Sequence, residues 1–439
     1  MWALVATMAA GWACRRVVEG EQDAFPIAAA VRQAAPNDRV FVVWDQLDKR
    51  QDPIVDQAFV SALQCSDGDG CASRAIRPPE PLGDPLPWGN PLQPAAALHR
   101  DGAARLTVLL RQKVEPDCDG DGLTGDDGDP DDQGAVDLRA FEWDLAGGAG
   151  APADVSVNSG VCASRGVAQV RMSRGVARAC FTHTDPGEDD RVDCADAIGA
   201  GWAPAAGPTN DGQGDEDHLS MDAVGGERVV AAHQGRIGAV DAVRVHFPDR
   251  PGEPVVEFPS AGPADQPADG AQHPDLTAGG RTLRLVWQDG VGTTAKIWTA
   301  ACPRAADCAL PASWTAPEEV SAPGYQEDAE LPQLAADGDA QWAVWTYDAD
   351  PGPEVAARVA SAHRCGSGPW SVQEVRAPDL ATDDQSLEMG RPSLVLNRDE
   401  HLAHLALVEF DEFTRRDDLG GRTHHADLYW CTTPYDPCP

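Results

Sequence analysis

HPDLTAGGRTLRLVWQDG (residues 273 to 290) and LPQLAADGDAQWAVWTYD (331 to 348) are two copies of one phrase, and RPSLVLNRDEHLAHLALVEFD (391 to 411) is a third. Each runs in the same order: Pro and an apolar pair, a Gly, Asp or Asn turn, an alternating apolar strand, then an acidic loop. Two alternating runs around a short turn read as a β-hairpin. A third strand follows in AKIWTAAC (295 to 302), EVAARVASAHRC (354 to 365) and ADLYWC (426 to 431). In the first two copies a fourth begins at Trp, in Trp314-TAPEEV and Trp370-SVQEV. The repeat is therefore a four-stranded antiparallel unit of about 50 to 60 residues, the size of a propeller blade.

Weaker copies extend toward the N-terminus. FPIAAAV, RVFVVWDQ and AFVSALQC (25 to 65) make one blade, and QPAAALHRDG, RLTVLLRQ and VDLRAFEWD (93 to 144) make a second that carries a long insertion. VAQVRMSRG, VARACFTH and RVDCADAIG (167 to 199) give a third, and LSMDAVGG, RVVAAHQG and AVDAVRVHF (219 to 247) a fourth. Six blades then span residue 25 to about 376. The seventh lacks a fourth strand after Cys438, whereas Trp12-ACRRVVEG resembles the fourth strands at Trp314 and Trp370. The expectation is an all-β, seven-bladed propeller covering residues 1–439 as one domain, its last blade completed by the N-terminal strand. A six-bladed ring with residues 1–13 as a signal sequence, and a chain truncated at its start, are the alternatives.

Composition bounds the partners. The formal net charge of −37 over 439 residues opposes binding to a phosphate backbone, so nucleic acid is excluded as a partner. Residues 1–13 are apolar and end before Cys14, which resembles a lipoprotein signal without its basic start. No other stretch approaches the length of a membrane span.

Twelve cysteines point to an oxidising compartment, and hence to an extracellular, periplasmic or outer-surface location. Cys65 with Cys71, Cys302 with Cys308, and Cys431 with Cys438 are close pairs at the ends of third strands, placed to clamp short loops as disulfides. Cys180 with Cys194 flanks a hairpin and is the next pairing expected; Cys14, Cys118, Cys162 and Cys365 are left open.

The phrases at 273 to 290 and 331 to 348 resemble the sialidase-like, BNR-type propeller superfamily of secreted bacterial proteins, over residues 270 to 410. That resemblance implies the propeller fold and, as the rival function, a sialidase-like glycoside hydrolase or other polysaccharide-active enzyme. The Ser-x-Asp-x-Gly-x-x-Trp box of the family is missing between third and fourth strands, where the cysteine loops sit instead. Fold alone does not carry function.

PDCDGDGLTGDDGDPDD (116 to 132) is the sharpest local motif. Calcium takes about six to eight oxygens, and alternating Asp in a Gly-rich turn supplies them. Asp117, Asp119 and Asp121 occupy the first ligand spacings, Gly122 the sharp turn, and the Leu123 carbonyl comes next; Asp126, Asp127, Asp129, Asp131 and Asp132 can complete the shell. With no Glu at the twelfth place it is not an EF-hand; it resembles the Asp-rich repeats of thrombospondin type 3 and the DxDGDG motifs of secreted bacterial proteins. Ca2+ is the expected cofactor, held in an insertion at 115–134. The bland alternative is a solvated Asp/Gly tract, and the less regular run NDGQGDEDH (210 to 218) is a second candidate cation site for which solvated surface is the commoner reading.

The blade scheme gathers acids on one face. Loops joining second to third strands carry Asp45, Asp48, Asp52, Asp56, the 117 to 132 run, Glu188, Asp189, Asp190, Asp348, Asp350, Asp411, Glu412, Asp417 and Asp418; loops joining blades carry Glu21, Asp23, Asp215, Glu216, Asp217, Glu327, Asp328, Glu330, Asp383 and Asp384. Such a face focuses a field that attracts cations or cationic partners. Arg50, Arg391, Arg415 and Arg416 are the arginines placed near it, and three arginines beside a Glu–Tyr pair on the axis would mark a sialidase. Trp44, Trp287 and Trp345 end second strands, where tryptophans pack between blades more often than they stack on sugars. Asp45, Asp289 and Asp348 sit where a glycosidase could place carboxylates, and His183 and His233 hold analogous positions. No phosphate loop, dinucleotide fingerprint, HExxH or GxSxG occurs, so no catalytic residue is assigned. The expected function is a non-enzymatic, monomeric, calcium-stabilised propeller whose acidic face binds a carbohydrate, a cationic ligand or a protein.

Overall fold

The computed structural model describes residues 12–438 except for 19–23, 35–38, 49–54, 65–73, 88–93, 100–104, 114–135, 152, 156–163, 185–190, 208–217, 225–227, 238–239, 251–254, 261–269, 280, 291–294, 326–328, 349–356, 376–386, 390, 398–400, 414–422 and 436–437. The strands form seven antiparallel sheets, and the first strand of each contacts the first strands of the sheets on either side, closing a ring. These inner strands are Ala24–Ala34, Ala95–Leu98, Ser164–Ser173, Ser220–Val224, Ala271–Thr277 and Glu330–Asp337 in blades 1 to 6. Blade 7 divides its inner strand into Leu387–Met389 and Ser393–Asn397, both paired to Leu402–Phe413. The protein is a seven-bladed β-propeller, as the repeats predict.

The second strands show why a propeller sequence alternates and is still apolar at almost every position. All nine residues of Ala340–Asp348 are buried, because a blade is packed on both faces. Period-two alternation sends neighbours into different interfaces. Trp345 and Ala343 join the core shared with blade 5, while Trp342 and Val344 join the core shared with blade 7. Blade 1 repeats the rule, with Val42 and Trp44 facing blade 7 and Phe41 and Val43 facing blade 2. One apolar cluster fills every interface in the ring. Trp44, Trp287 and Trp345 are at most 1% exposed, so they are core and not sugar platforms.

The ring closes through the N-terminal strand Ala13–Val18, which pairs with Thr423–Pro434 from Ala13 opposite Thr432 to Val18 opposite Leu428. Trp12 does for blade 7 what Trp314 does for blade 5. Its indole packs edge-on against Trp342 of the preceding blade at 5.5 Å between centroids, as Trp314 packs edge-on against Phe258 of blade 4 at 5.2 Å. In blade 5 the fourth strand is shorter than its sequence suggests, since after Trp314 only Glu318–Glu319 pairs, whereas Trp370 is followed by the full strand Ser371–Val375.

Four disulfides lie among the described residues. Cys302–Cys308 and Cys180–Cys194 form as expected. The pairing of Cys431 with Cys438 does not: Cys431 bonds Cys14, its direct cross-strand partner, and Cys438 reaches back to Cys365 of blade 6. Sequence proximity misleads here because Cys431 lies within a strand, where the nearest thiol is the one across the ladder. Cys65 and Cys71 lie outside the described residues.

Candidate functional site

Inner strands begin at the end of the ring where the interblade loops and the loops from second to third strands emerge. Three of these beginnings share an unusual backbone. His218, His273 and Leu331, in blades 4, 5 and 6, have φ of 53°, 49° and 51°. Left-handed backbone in a non-glycine residue costs about 1 to 2 kcal/mol, and such conformations cluster at functional sites. In blades 5 and 6 the residue falls in a register shift, between Gln272 and Asp275 and between Glu330 and Gln333. A bulge re-aims one side chain while the ladder continues beyond it.

The result is a convergence on the axis. The His218 and His273 rings stack with centroids 3.7 Å apart and planes inclined by 21°. Arg391, between the two segments of the inner strand of blade 7, acts electrostatically on both rings. Blades 4 and 7 are not neighbours, so this interaction acts across the ring. Burial and Arg391 push His218 down to about 4; burial, His218 and Arg391 push His273 down to about 2. Both imidazoles are neutral at pH 7.

Asp275, 8% exposed, interacts electrostatically with Arg391. Ser220 donates its hydroxyl to Asp275 Oδ1 at 2.7 Å, and the Leu334 amide donates to Oδ2 at 2.7 Å. The Leu276 amide donates to Ser220 Oγ at 2.9 Å, so side-chain oxygens stitch blade 4 to 5 and blade 5 to 6 at one level. Burial raises the Asp275 carboxyl despite the opposing pull of Arg391, the two donors and Arg171. Asp222 is engaged in the same way, taking the Ala223 and Ala278 amides at 2.7 Å each, with Arg171 Nε 3.7 Å from Oδ1.

Arg391 differs from these groups. Its Nε and Nη2 are shielded from solvent and have no hydrogen-bond partner among the described residues. Burial lowers the guanidinium's pKa, and the nearby Asp275 charge only partly offsets this. Nitrogen Nδ1 of His273 is likewise shielded and unpartnered among the described residues. The site thus holds unspent donor capacity in a low-dielectric setting, where leaving it unmet is costly.

Other expected residues fall elsewhere. Asp45, Asp289 and Asp348 are buried, and Asp289 accepts the Ser260 hydroxyl at 2.7 Å. His183 Nδ1 lies 2.6 Å from Asp193 Oδ2; burial raises the Asp193 carboxyl, but His183 and Arg191 outweigh it and leave its pKa lowered. His233 Nε2 meets His246 Nε2 at 2.7 Å, and His246 is driven well down by burial, then by His233 and Arg244. Asp117, Asp119, Asp121, Leu123, Asp127, Asp129 and Asp131 lie outside the described residues, as do Arg50, Arg415, Arg416 and most of the acids of the loop face. Among the described residues no group of three or more His, Cys, Asp or Glu side chains is arranged to hold a metal ion, and no helix is long and apolar enough to cross a membrane. Sequence reading named Arg391 but missed His218 and His273. The signal lay in the first letters of the quoted phrases, where His, Leu and Arg occupy one pre-proline position in three blades.

No protein-family model matches the chain, and no curated protein sequence does. Among solved structures, the phage phi92 endosialidase aligns over 98% of this chain and 70% of its own, at 11% identity and a TM-score of 0.46. A Dyadobacter fermentans protein of unknown function aligns over 95% and 98%, at 10% identity and a TM-score of 0.44. Trypanosoma rangeli sialidase, in complex with the inhibitor DANA, aligns over 95% and 55%, at 9% identity and a TM-score of 0.43.

Proposed function

We propose that this chain is an exported binding module that receives an anionic group of its ligand on the propeller axis, against Arg391. The observation that carries the reading is the pair of shielded, unpartnered Arg391 nitrogens among the described residues. A guanidinium offers planar, paired donors that fit a carboxylate or a comparable oxyanion. Binding is favoured over hydrolysis because Asp275 and Asp222 already spend their oxygens on hydrogen bonds. A glycosidase instead needs two carboxylates free to face the reacting bond.

The acidic loops fit this reading as a filter. A chain of net charge −37 repels polyanions at long range, while a ligand with one anionic group on a neutral or cationic body can reach the axis. Calcium on the Asp117–Asp131 loop would neutralise and order part of that rim. The disulfides Cys14–Cys431 and Cys365–Cys438 support export, since such bonds persist in oxidising compartments.

Calorimetric titration of acetate and of sulfate into wild type and Arg391→Gln at pH 7 tests the proposal. Wild type is expected to bind at least one of the two saturably, and the variant about 10- to 100-fold more weakly, the usual loss of a charged hydrogen bond. Equal binding by both proteins, or none by wild type, overturns it.

A further inference from the structure

We propose that the axial site takes up a proton together with its anion, and that the stacked His218–His273 pair is where the proton goes. The inference rests on the reading of Arg391 as the anion's partner.

The geometry makes the pair a latent base. Two rings at 3.7 Å cannot both be cationic without strong repulsion, and Arg391 faces them from blade 7. Among the described residues, Asp275 on the inner strand of blade 5 interacts electrostatically with Arg391 and with Arg171 on that of blade 3, and Arg171 in turn faces Asp222 on that of blade 4. Asp275 is buried and engaged by Ser220 and Leu334, and Asp222 is paired with Arg171. Burial is the larger cause that keeps the rings of the free site unprotonated, and the positive charge of Arg391 adds to it.

An oxyanion on Arg391 offsets that positive charge. It puts a negative charge beside both rings, and one imidazole nitrogen then gains by accepting a proton from solvent and donating it as a hydrogen bond. His273 Nδ1, shielded and unpartnered among the described residues, is placed for this role. No covalent bond other than N–H changes: the site gains one anion and at most one proton. Reciprocity between the two ligands requires that affinity for the anion rise as pH falls. The rise is at most about tenfold per pH unit for one proton, and it ends near pH 4, where His218 of the free site itself becomes protonated.

Titrations of sulfate and acetate from pH 7 to pH 5, each in two buffers of different ionisation enthalpy, count the protons directly. His218→Asn and His273→Asn provide the control, since Asn accepts left-handed backbone better than most residues. Wild type is expected to take up a measurable fraction of a proton per anion and to tighten by up to about 100-fold over the two pH units. The double variant should bind with a flat profile. Binding by wild type without proton uptake refutes the coupling while leaving the anion site intact, and this count stands whether or not the variants fold. Retention of the slope by a folded double variant refutes the role of the pair. Absence of binding at every pH removes the anion site and the coupling together.

Discussion

The indole N–H of Trp12 donates to Ser361 Oγ at 2.8 Å, joining residues 349 positions apart and tying the first described residue to blade 6. The contact is buried, and the same indole covers Trp342. Trp12→Ala should cost about 3 to 5 kcal/mol of unfolding free energy, the usual loss for a large aromatic in a packed site. Trp12→Phe should cost less, because packing survives and the hydrogen bond alone is lost. Removing residues 1–20 exposes the edge of Thr423–Pro434 and should cause aggregation. Chemical denaturation and light scattering check these outcomes, and an equally stable, monodisperse truncation would show that the latch is dispensable.

Peptide mapping of the non-reduced protein should recover Cys14 linked to Cys431 and Cys365 linked to Cys438. Cys14–Cys431 spans the ring closure within blade 7, and Cys365–Cys438 joins blades 6 and 7. A peptide linking Cys431 to Cys438 would contradict the strand register Cys14 opposite Cys431.

His404 gives the fold a predictable acid sensitivity. It is fully buried against Trp430, neither ring nitrogen has a hydrogen-bond partner among the described residues, and burial pushes it down to about 4. The unfolded chain then binds the proton more readily than the folded one, so stability falls as pH drops from about 6.5 toward 4. The loss attributable to this one group is about 3 kcal/mol at pH 4. His404→Phe keeps a ring on Trp430 and should flatten the decline by about one proton's slope in denaturation curves across that range. An unchanged slope would mean that His404 is solvated or paired in solution.

The blade repeat, the tryptophan positions and the N-terminal latch were legible in the sequence because each obeys a local rule. Apolar alternation fixes the strands, and a Trp before the fourth strand repeats at Trp12, Trp314 and Trp370. Pairings such as Cys14–Cys431 follow strand register across the ring closure, which short-range spacing does not reveal. The axial site was hidden for a related reason. His218, His273 and Arg391 are separated by tens to more than a hundred residues, and only closure of the ring turns three equivalent strand beginnings into one cluster.

Calcium should bind the loop that carries Asp117, Asp119 and Asp121. Their mutual repulsion is relieved by a divalent ion, and millimolar calcium over a micromolar site adds about 4 kcal/mol to the state that binds it. Wild type should show one tight site by calorimetry that is missing from the triple Asp→Asn variant at these positions. Equal uptake by both proteins would defeat the assignment.

The central claim, that an anion docks on Arg391, is tested most directly by nitrogen-15 NMR of arginine Nε groups, with the Arg391 resonance identified by its absence in Arg391→Lys. On titration with acetate or sulfate this resonance should move saturably, with the same dissociation constant that calorimetry yields, while the other arginines stay within their salt-dependent drift. An Arg391 resonance that stays in place while the titration still releases heat would contradict the account and put the ligand elsewhere on the protein.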